Sequence, residues 1–173
     1  SPMTRNVMAL LAFFGSFGCG TPCTDPTRIN GEWIAHTNLG AAVNGANVEN
    51  HPMQEASLLA STMPWSTLFM GSTDQVEMMV GPDKHMADYL ESDEDCDSFT
   101  LKTTSVFELK ERDEGGLIIG GTRHEFLYEA KLRYTGPRIT GTFRYQDEWI
   151  GLVDDQMGSL SIPQGELTLS TVE

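Results

Sequence analysis

The run from His124 to Tyr134, HEFLYEAKLRY, constrains this chain more than any other. Phe126, Tyr128, Ala130, Leu132 and Tyr134 fall on one side of it, and Glu125, Glu129, Lys131 and Arg133 on the other. Successive side chains of an extended chain point to opposite faces, so this alternation requires a strand with one buried and one wetted face. The same period recurs in Phe99, Leu101, Thr103, Phe107 and Leu109, set against Lys102, Thr104, Glu108 and Lys110. It returns after the turn TGPR in Ile139, Gly141, Phe143 and Tyr145, which makes a hairpin with its aromatic residues facing inward. EWIGLV, GSLSI and GELTLSTV supply further short strands between Asp-, Gly- and Pro-containing turns.

The first half is less regular. Asp25-Pro26 marks a turn, and Ile29, Trp33 and Ala35 suggest a first strand; STLFMG and QVEMMV read as two more. Residues 38–50 form a polar loop rich in Gly and Asn, Gln54 to Ser61 can make one or two helical turns around Leu58 and Leu59, and the acidic stretch from Gly81 to Asp97 is expected as loop or as a frayed helix around Met86 to Leu90. Helices at βαβ spacing are missing from the pattern. The expected fold is therefore all-β: an antiparallel meander of about eight strands forming a small barrel or sandwich, with a short helix and long loops in the first half.

The N-terminus reads as an address rather than as fold. Arg5 precedes an apolar run, Val7 to Phe14, that ends in Gly15, Ser16 and Gly18 just before Cys19. That is a secretory signal layout, and the run is too short for the about 20 apolar residues of a membrane-spanning helix. Ser1 and Pro2 stand ahead of Met3 and are left out of the fold reasoning. With its small residues before the cysteine, SFGC resembles the lipobox of bacterial lipoproteins. The resemblance implies removal of residues 1–18 and a covalent lipid at Cys19, each buried methylene contributing about 0.8 kcal/mol to membrane attachment. Gly20 after the cysteine implies the outer membrane. Residues 19–28, with Pro22 and Pro26, then act as an extended tether, and residues 29–173 form a single β-domain. With Cys19 acylated, Cys23 and Cys96 remain as an even pair in an oxidising compartment. They are either bridged, which contributes on the order of 4 kcal/mol, or two free thiols.

Charge narrows the partners. The formal net charge is −14, which repels nucleic acid phosphates and anionic headgroups and leaves neutral molecules, cations or proteins with a basic face. Beyond the lipid, no cofactor is expected. HEFLY begins like a zinc-binding His-Glu helix, but Tyr128 stands where the second histidine belongs and the period is that of a strand. His36, His51, His85 and His124 are dispersed without ligand spacing, so a site built from them would need a tertiary coincidence. Asp93, Asp95 and Asp97 alternate as in a calcium loop, but Ser98 and Thr104 occupy the positions of its glycine and closing glutamate; a solvated loop is the competing reading. The methionines at 53, 63, 70, 78, 79 and 86 read as core filling or as an adaptable apolar or copper(I) surface. With no Gly-x-Ser-x-Gly elbow and no assembled nucleophile, base or metal, the sequence does not indicate an enzyme.

NGEW on the first strand, followed by a long loop and an up-and-down run of hairpins, resembles the Gly-x-Trp start of lipocalins and related small lipoprotein barrels. In that family the tryptophan, Trp33 here, plugs the barrel floor, and the cavity binds an apolar small molecule; the alternative is a core aromatic of another β-domain. Two functions follow as expectations. One is a lipid-anchored, non-catalytic envelope protein that contacts a protein partner through its acidic face and loops 38–55 and 81–97. The other is a carrier of an apolar small molecule among Trp33, Phe107, Phe126, Tyr128, Phe143 and Trp149.

Overall fold

The computed structural model describes residues 25–39, 44–45, 51–92 and 94–172. The strands are β1 (Gly31–Asn38), β2 (Asn44–Gly45), β3 (Trp65–Gly71), β4 (Gln75–Val80), β5 (Asp83–Glu91), β6 (Ser98–Arg112), β7 (Ile118–Tyr134), β8 (Arg138–Gly151) and β9 (Met157–Thr171); one α-helix, α1 (Gln54–Leu59), lies between β2 and β3. β1 pairs with β3, each strand from β3 to β8 pairs with its successor, and β9 returns to β1, all antiparallel. Of the two arrangements the sequence left open, the sheet takes the closed one, an eight-stranded barrel. Closure removes the edges that an open sheet of this length would expose. β2 prolongs the β1 side along the start of β9, at Asn44↔Ser161 and Gly45↔Leu160.

The alternation in β7 is realised as expected: Phe126, Tyr128, Ala130 and Leu132 are buried. Its outward side carries charge, with Lys102 and Arg144 flanking Glu129 at 3.8 and 3.4 Å across the neighbouring strands. This charged outer row differs from the apolar band that a lipid-facing barrel needs. Among the described residues no helix is long and apolar enough to cross a membrane. Gly141 marks a point where the wall is drawn tight. A Cβ built there would overlap the backbone carbonyl oxygen of Lys131 on β7.

One end of the barrel is closed by a 3-10 turn, Pro26–Ile29, whose first residues are capped by Asp25. Ile29 is fully buried, and its carbonyl accepts from Trp33 Nε1 at 2.8 Å. Asn30 Oδ1 accepts from the Gly71 amide on one side of this end, while Arg28 reaches the other, over the Tyr134 ring at 4.4 Å and to Asp97 at 3.1 Å. The turn thus spans the floor, with Trp33 standing on it.

The opposite end is stepped. β6 to β9 run fourteen to seventeen residues, whereas β1, β3, β4 and β5 run six to nine. The segment from His51 through α1 fills the step. A helix of six residues does not hold by itself; here Ala56 and Leu59 are buried in the core, and Asp83 Oδ2 accepts from the Glu55 amide at 3.0 Å as a cap lent by β5. Gly81, at φ +62, turns β4 into β5 and leaves room for Leu58.

The stretch expected as loop or frayed helix between Gly81 and Asp97 is corrected by the structure: most of it is β5, a wall of the barrel. Its inward positions are Asp83, His85, Ala87 and Tyr89, so the polar residues at its rim end hide the alternation.

Candidate functional site

Three of the four histidines, which the sequence keeps far apart, meet inside the rim end of the barrel. His124 faces inward from β7 and sets Nδ1 at 2.8 and 3.0 Å from the two carboxylate oxygens of Asp147, its neighbour on β8. Thr122 Oγ1 lies 2.6 Å from His124 Nε2. From the segment ahead of α1, His51 brings Nε2 to 2.8 Å from Asp147 Oδ2, at an ion-pair distance but off the line of a hydrogen bond. His51 Nδ1 lies 3.0 Å from the Met53 amide and 3.2 Å from the Met53 carbonyl oxygen, which pins the ring to the segment ahead of α1. Burial pushes the Asp147 carboxyl up. The hydrogen bond from His124 and the closeness of both imidazoles outweigh it and hold the group below its ordinary value.

A second pair lies beside this one. Glu55 of α1 meets His85 of β5, Oε2 to Nε2, at 2.5 Å, and Tyr145 Oη donates to Glu55 Oε1 at 3.4 Å. Burial raises the Glu55 carboxyl above its ordinary value, and the hydrogen bond from His85 only partly opposes it. Burial, with the nearby Glu55 charge, likewise pushes the Tyr145 and Tyr128 hydroxyls up. Aromatic rings wall the polar groups: Phe107 stacks on His124 at 5.0 Å, Trp149 meets His51 edge-on at 4.7 Å, and Phe126 stacks on His85 at 4.8 Å.

The barrel wall opens next to His85. β5 pairs with β6 through Glu91↔Phe99 to Asp88↔Lys102, and above that level the two strands separate. The opening is a cleft of about 470 Å³ whose sides include Met53, His85, Met86, Thr103, Ser105, Phe107 and Leu109. Glu55 occupies His85 Nε2, and the His85 side chain itself lines the cleft. The hydroxyls of Thr103 and Ser105 have no hydrogen-bond partner among the described residues, and both face inward at the same seam. The lining is mixed: Asp83, Lys84 and Thr104 complete it, so the apolar surfaces of Met53, Met86, Phe107 and Leu109 stand among converging polar groups, as a site for an amphipathic small molecule requires.

The six aromatic residues singled out from the sequence all face the interior, but they do not form one cavity. Trp33 belongs to the floor. Tyr128 and Phe143 stack on each other at 6.1 Å, and Phe126 packs edge-on against Tyr145 at 5.3 Å, filling the middle. Phe107 lines the lateral cleft, and Trp149 lines a separate groove of about 480 Å³ with Arg123, Glu125, Glu148, Ile150 and Met157. Residues that the sequence did not assign to a site are His51, Glu55, His85, His124 and Asp147, while Tyr145 was expected only as an inward-facing aromatic. His124 and Asp147 were legible only as inward positions of alternating strands, and His51, Glu55 and His85 carried no local signal.

Other expected sites are placed as follows. Asp95 accepts from the amides of Asp97 and Ser98 and from the Ser98 hydroxyl, and Asp97 pairs with Arg28; Asp93 lies outside the described residues. These are the bonds of a loop folded on itself, and no group of metal-ligating side chains forms among the described residues. Met53 and Met78 are buried in the core, whereas Met63, Met70 and Met86 are exposed. Cys96 sits in the loop between β5 and β6, its carbonyl accepting from Arg28 at 2.7 Å. Cys19 and Cys23, and with them the lipidation site and the expected bridge, lie outside the described residues.

Fold and site together define a small closed antiparallel β-barrel with a polar, histidine-rich rim chamber. No protein-family model matches the chain, and no curated protein or solved structure is significantly similar to it.

Proposed function

We propose that this chain is a binding protein that holds a small, largely apolar molecule in the lateral cleft between β5 and β6, carried on a lipid anchor at Cys19 in the bacterial outer membrane. The observation that carries the reading is the separation of β5 from β6 above Asp88↔Lys102, which opens an amphipathic cleft in an otherwise closed wall. A barrel gains from pairing every strand along its length; a seam left open beside Phe107, Met53 and His85 supports a binding role for it. The test is titration of isotope-labelled protein with 2-ethylnaphthalene, followed by amide shifts. Changes confined to the seam, at Met86, Ser105 and Phe107, are expected; a spectrum unperturbed up to saturation by this hydrocarbon and by its oxygen-bearing analogues overturns the reading.

A second reading, an accessory protein of an envelope assembly, is favoured by the groove outside β7–β9. There Glu125 faces Glu148 directly across the ladder, a like-charge pair that costs stability in isolation and suits a cationic partner. Exposed Ile150 and Met157 beside it supply apolar contact. Purification from native membranes with and without Glu125→Lys and Glu148→Lys tests it: loss of a co-purifying protein in the double variant is expected, and identical co-purification refutes the groove as its seat. The anchor is tested separately. Cys19→Ala should release the protein or leave it unprocessed, and density-gradient separation should place the wild type with outer-membrane markers.

A further inference from the structure

The chemistry of the cleft's polar groups points to a narrower class of ligand. Glu55 Oε2 and His85 Nε2 are hydrogen-bonded to each other, so one proton lies between them. As long as the pair is neutral overall, the proton count of the imidazole is fixed at its far side: a charged His85 beside a charged Glu55, or a neutral His85 beside a protonated Glu55, both leave a hydrogen on Nδ1. Desolvation in the barrel favours the neutral pair over a net negative one. In the neutral pair His85 Nδ1 is thus a donor, carried on a side chain that lines the cleft. Thr103 and Ser105, inward-facing on β6 at this seam, bring two hydroxyls that have no partner among the described residues.

Three donors around one opening match an acceptor oxygen, and Met53, Phe107 and Leu109 match an apolar body. We infer that the cleft selects apolar molecules bearing a carbonyl or carboxylate oxygen, with His85 Nδ1, Thr103 and Ser105 holding that oxygen and the apolar part lying against Phe107. The inference rests on the small-molecule reading above and adds the identity of the polar anchor. His85 is suited to the task because Glu55 fixes one nitrogen and the Phe126 ring, stacked at 4.8 Å with an interplanar angle of 18°, fixes its plane. A pre-oriented donor loses little freedom when the ligand arrives.

The experiment compares three probes of one shape on the full chain by calorimetry: 2-ethylnaphthalene, which lacks an acceptor, 2-acetylnaphthalene, a neutral ketone, and 2-naphthoate, its charged counterpart. The ketone is expected to bind about tenfold more tightly than the hydrocarbon, the range of a hydrogen bond made inside a protein. In the same titration the imidazole nitrogen resonance of His85 Nδ1 should move with the ketone and stay in place with the hydrocarbon. Tighter binding of naphthoate than of the ketone identifies the oxygen as a carboxylate, and weaker binding identifies a neutral carbonyl; both support an acceptor-oxygen site. His85→Phe should remove the preference for the ketone over the hydrocarbon. Thr103→Val, nearly isosteric, should reduce it severalfold and keeps the test intact if the first variant does not fold. Ketone and naphthoate both binding no more tightly than the hydrocarbon overturns this inference alone, leaving the cleft as an apolar site. Failure of all three probes to bind overturns the small-molecule reading together with it.

Discussion

His51 Nε2 stands 2.8 Å from Asp147 Oδ2, both side chains fully buried, although one precedes α1 and the other lies on β8. Asp147 also receives His124, so a single carboxylate ties the segment that fills the rim to the wall it covers. Asp147→Ala leaves two buried imidazoles facing an empty space and should cost about 3 kcal/mol or more. Asp147→Asn keeps shape and one acceptor and should cost about half of that. Urea unfolding midpoints at constant slope measure both; a loss under about 0.5 kcal/mol for the alanine variant would show that the cluster is not a structural tie.

The two buried carboxyls should give opposite pH dependences. Asp147 is held below its unfolded value of 3.8 by His124 and His51 against the effect of burial, so its contribution is complete above that value and disappears as pH falls through the lowered folded value. Burial raises Glu55 above 4.5, so the stability linked to it is present below 4.5 and is lost as pH rises through the raised folded value. Glu55→Gln should therefore flatten the decline of stability between mildly acidic and neutral pH while leaving the loss in strong acid. Thermal melts across pH 3 to 8 read both limbs. An unchanged neutral limb in the glutamine variant would contradict the assignment.

Glycines of the β7–β8 hairpin should respond to alanine for different reasons. At Gly141 the new methyl group would meet the Lys131 backbone, which cannot turn away, and the loss should be roughly 3 kcal/mol. At Gly136 the space is open but φ is +83, a left-handed conformation costing about 1–2 kcal/mol for a side chain. Equilibrium unfolding of the two variants should rank them in that order. The reverse order would mean that the sheet relaxes around Gly141.

Cys23 and Cys96 should be bridged in natively exported protein. Non-reducing peptide mapping is expected to recover them as one linked fragment, and recovery of both as free thiols would remove the bridge from the account.

Period-two alternation carried most of the wall. β6, β7 and the first part of β8 were legible because they bury Phe99, Leu101, Phe126, Tyr128, Ala130, Phe143 and Tyr145 and wet the residues between them, so polarity and geometry run in step; EWIGLV, GSLSI and GELTLSTV, expected as separate short strands, are the end of β8 and the two parts of β9, which runs on through Pro163. The short helix was legible too, from Leu58 and Leu59. The same rule explains the failure at β5. Its rim-end positions Asp83 and His85 point into a polar chamber while Met86 and Leu90 point outward, so hydrophobicity and orientation are out of phase and the strand reads as loop.

Whether the strands closed as a barrel or stacked as a sandwich depended on the pairing of β1 with β9, a contact between the two ends of the domain that no local pattern encodes. The candidate site was decided in the same way. His51, Glu55, His85, His124 and Asp147 come from a loop, a helix and three strands, and each looks locally like an ordinary polar residue. Only closure brings them to one level of the barrel, where desolvation makes their partners matter. The sequence by itself thus determined which segments are extended, and which of their faces is dry, wherever the buried face is apolar; the tertiary structure alone decided β5 and which polar residues share the interior, because that depends on distances across the barrel rather than along the chain.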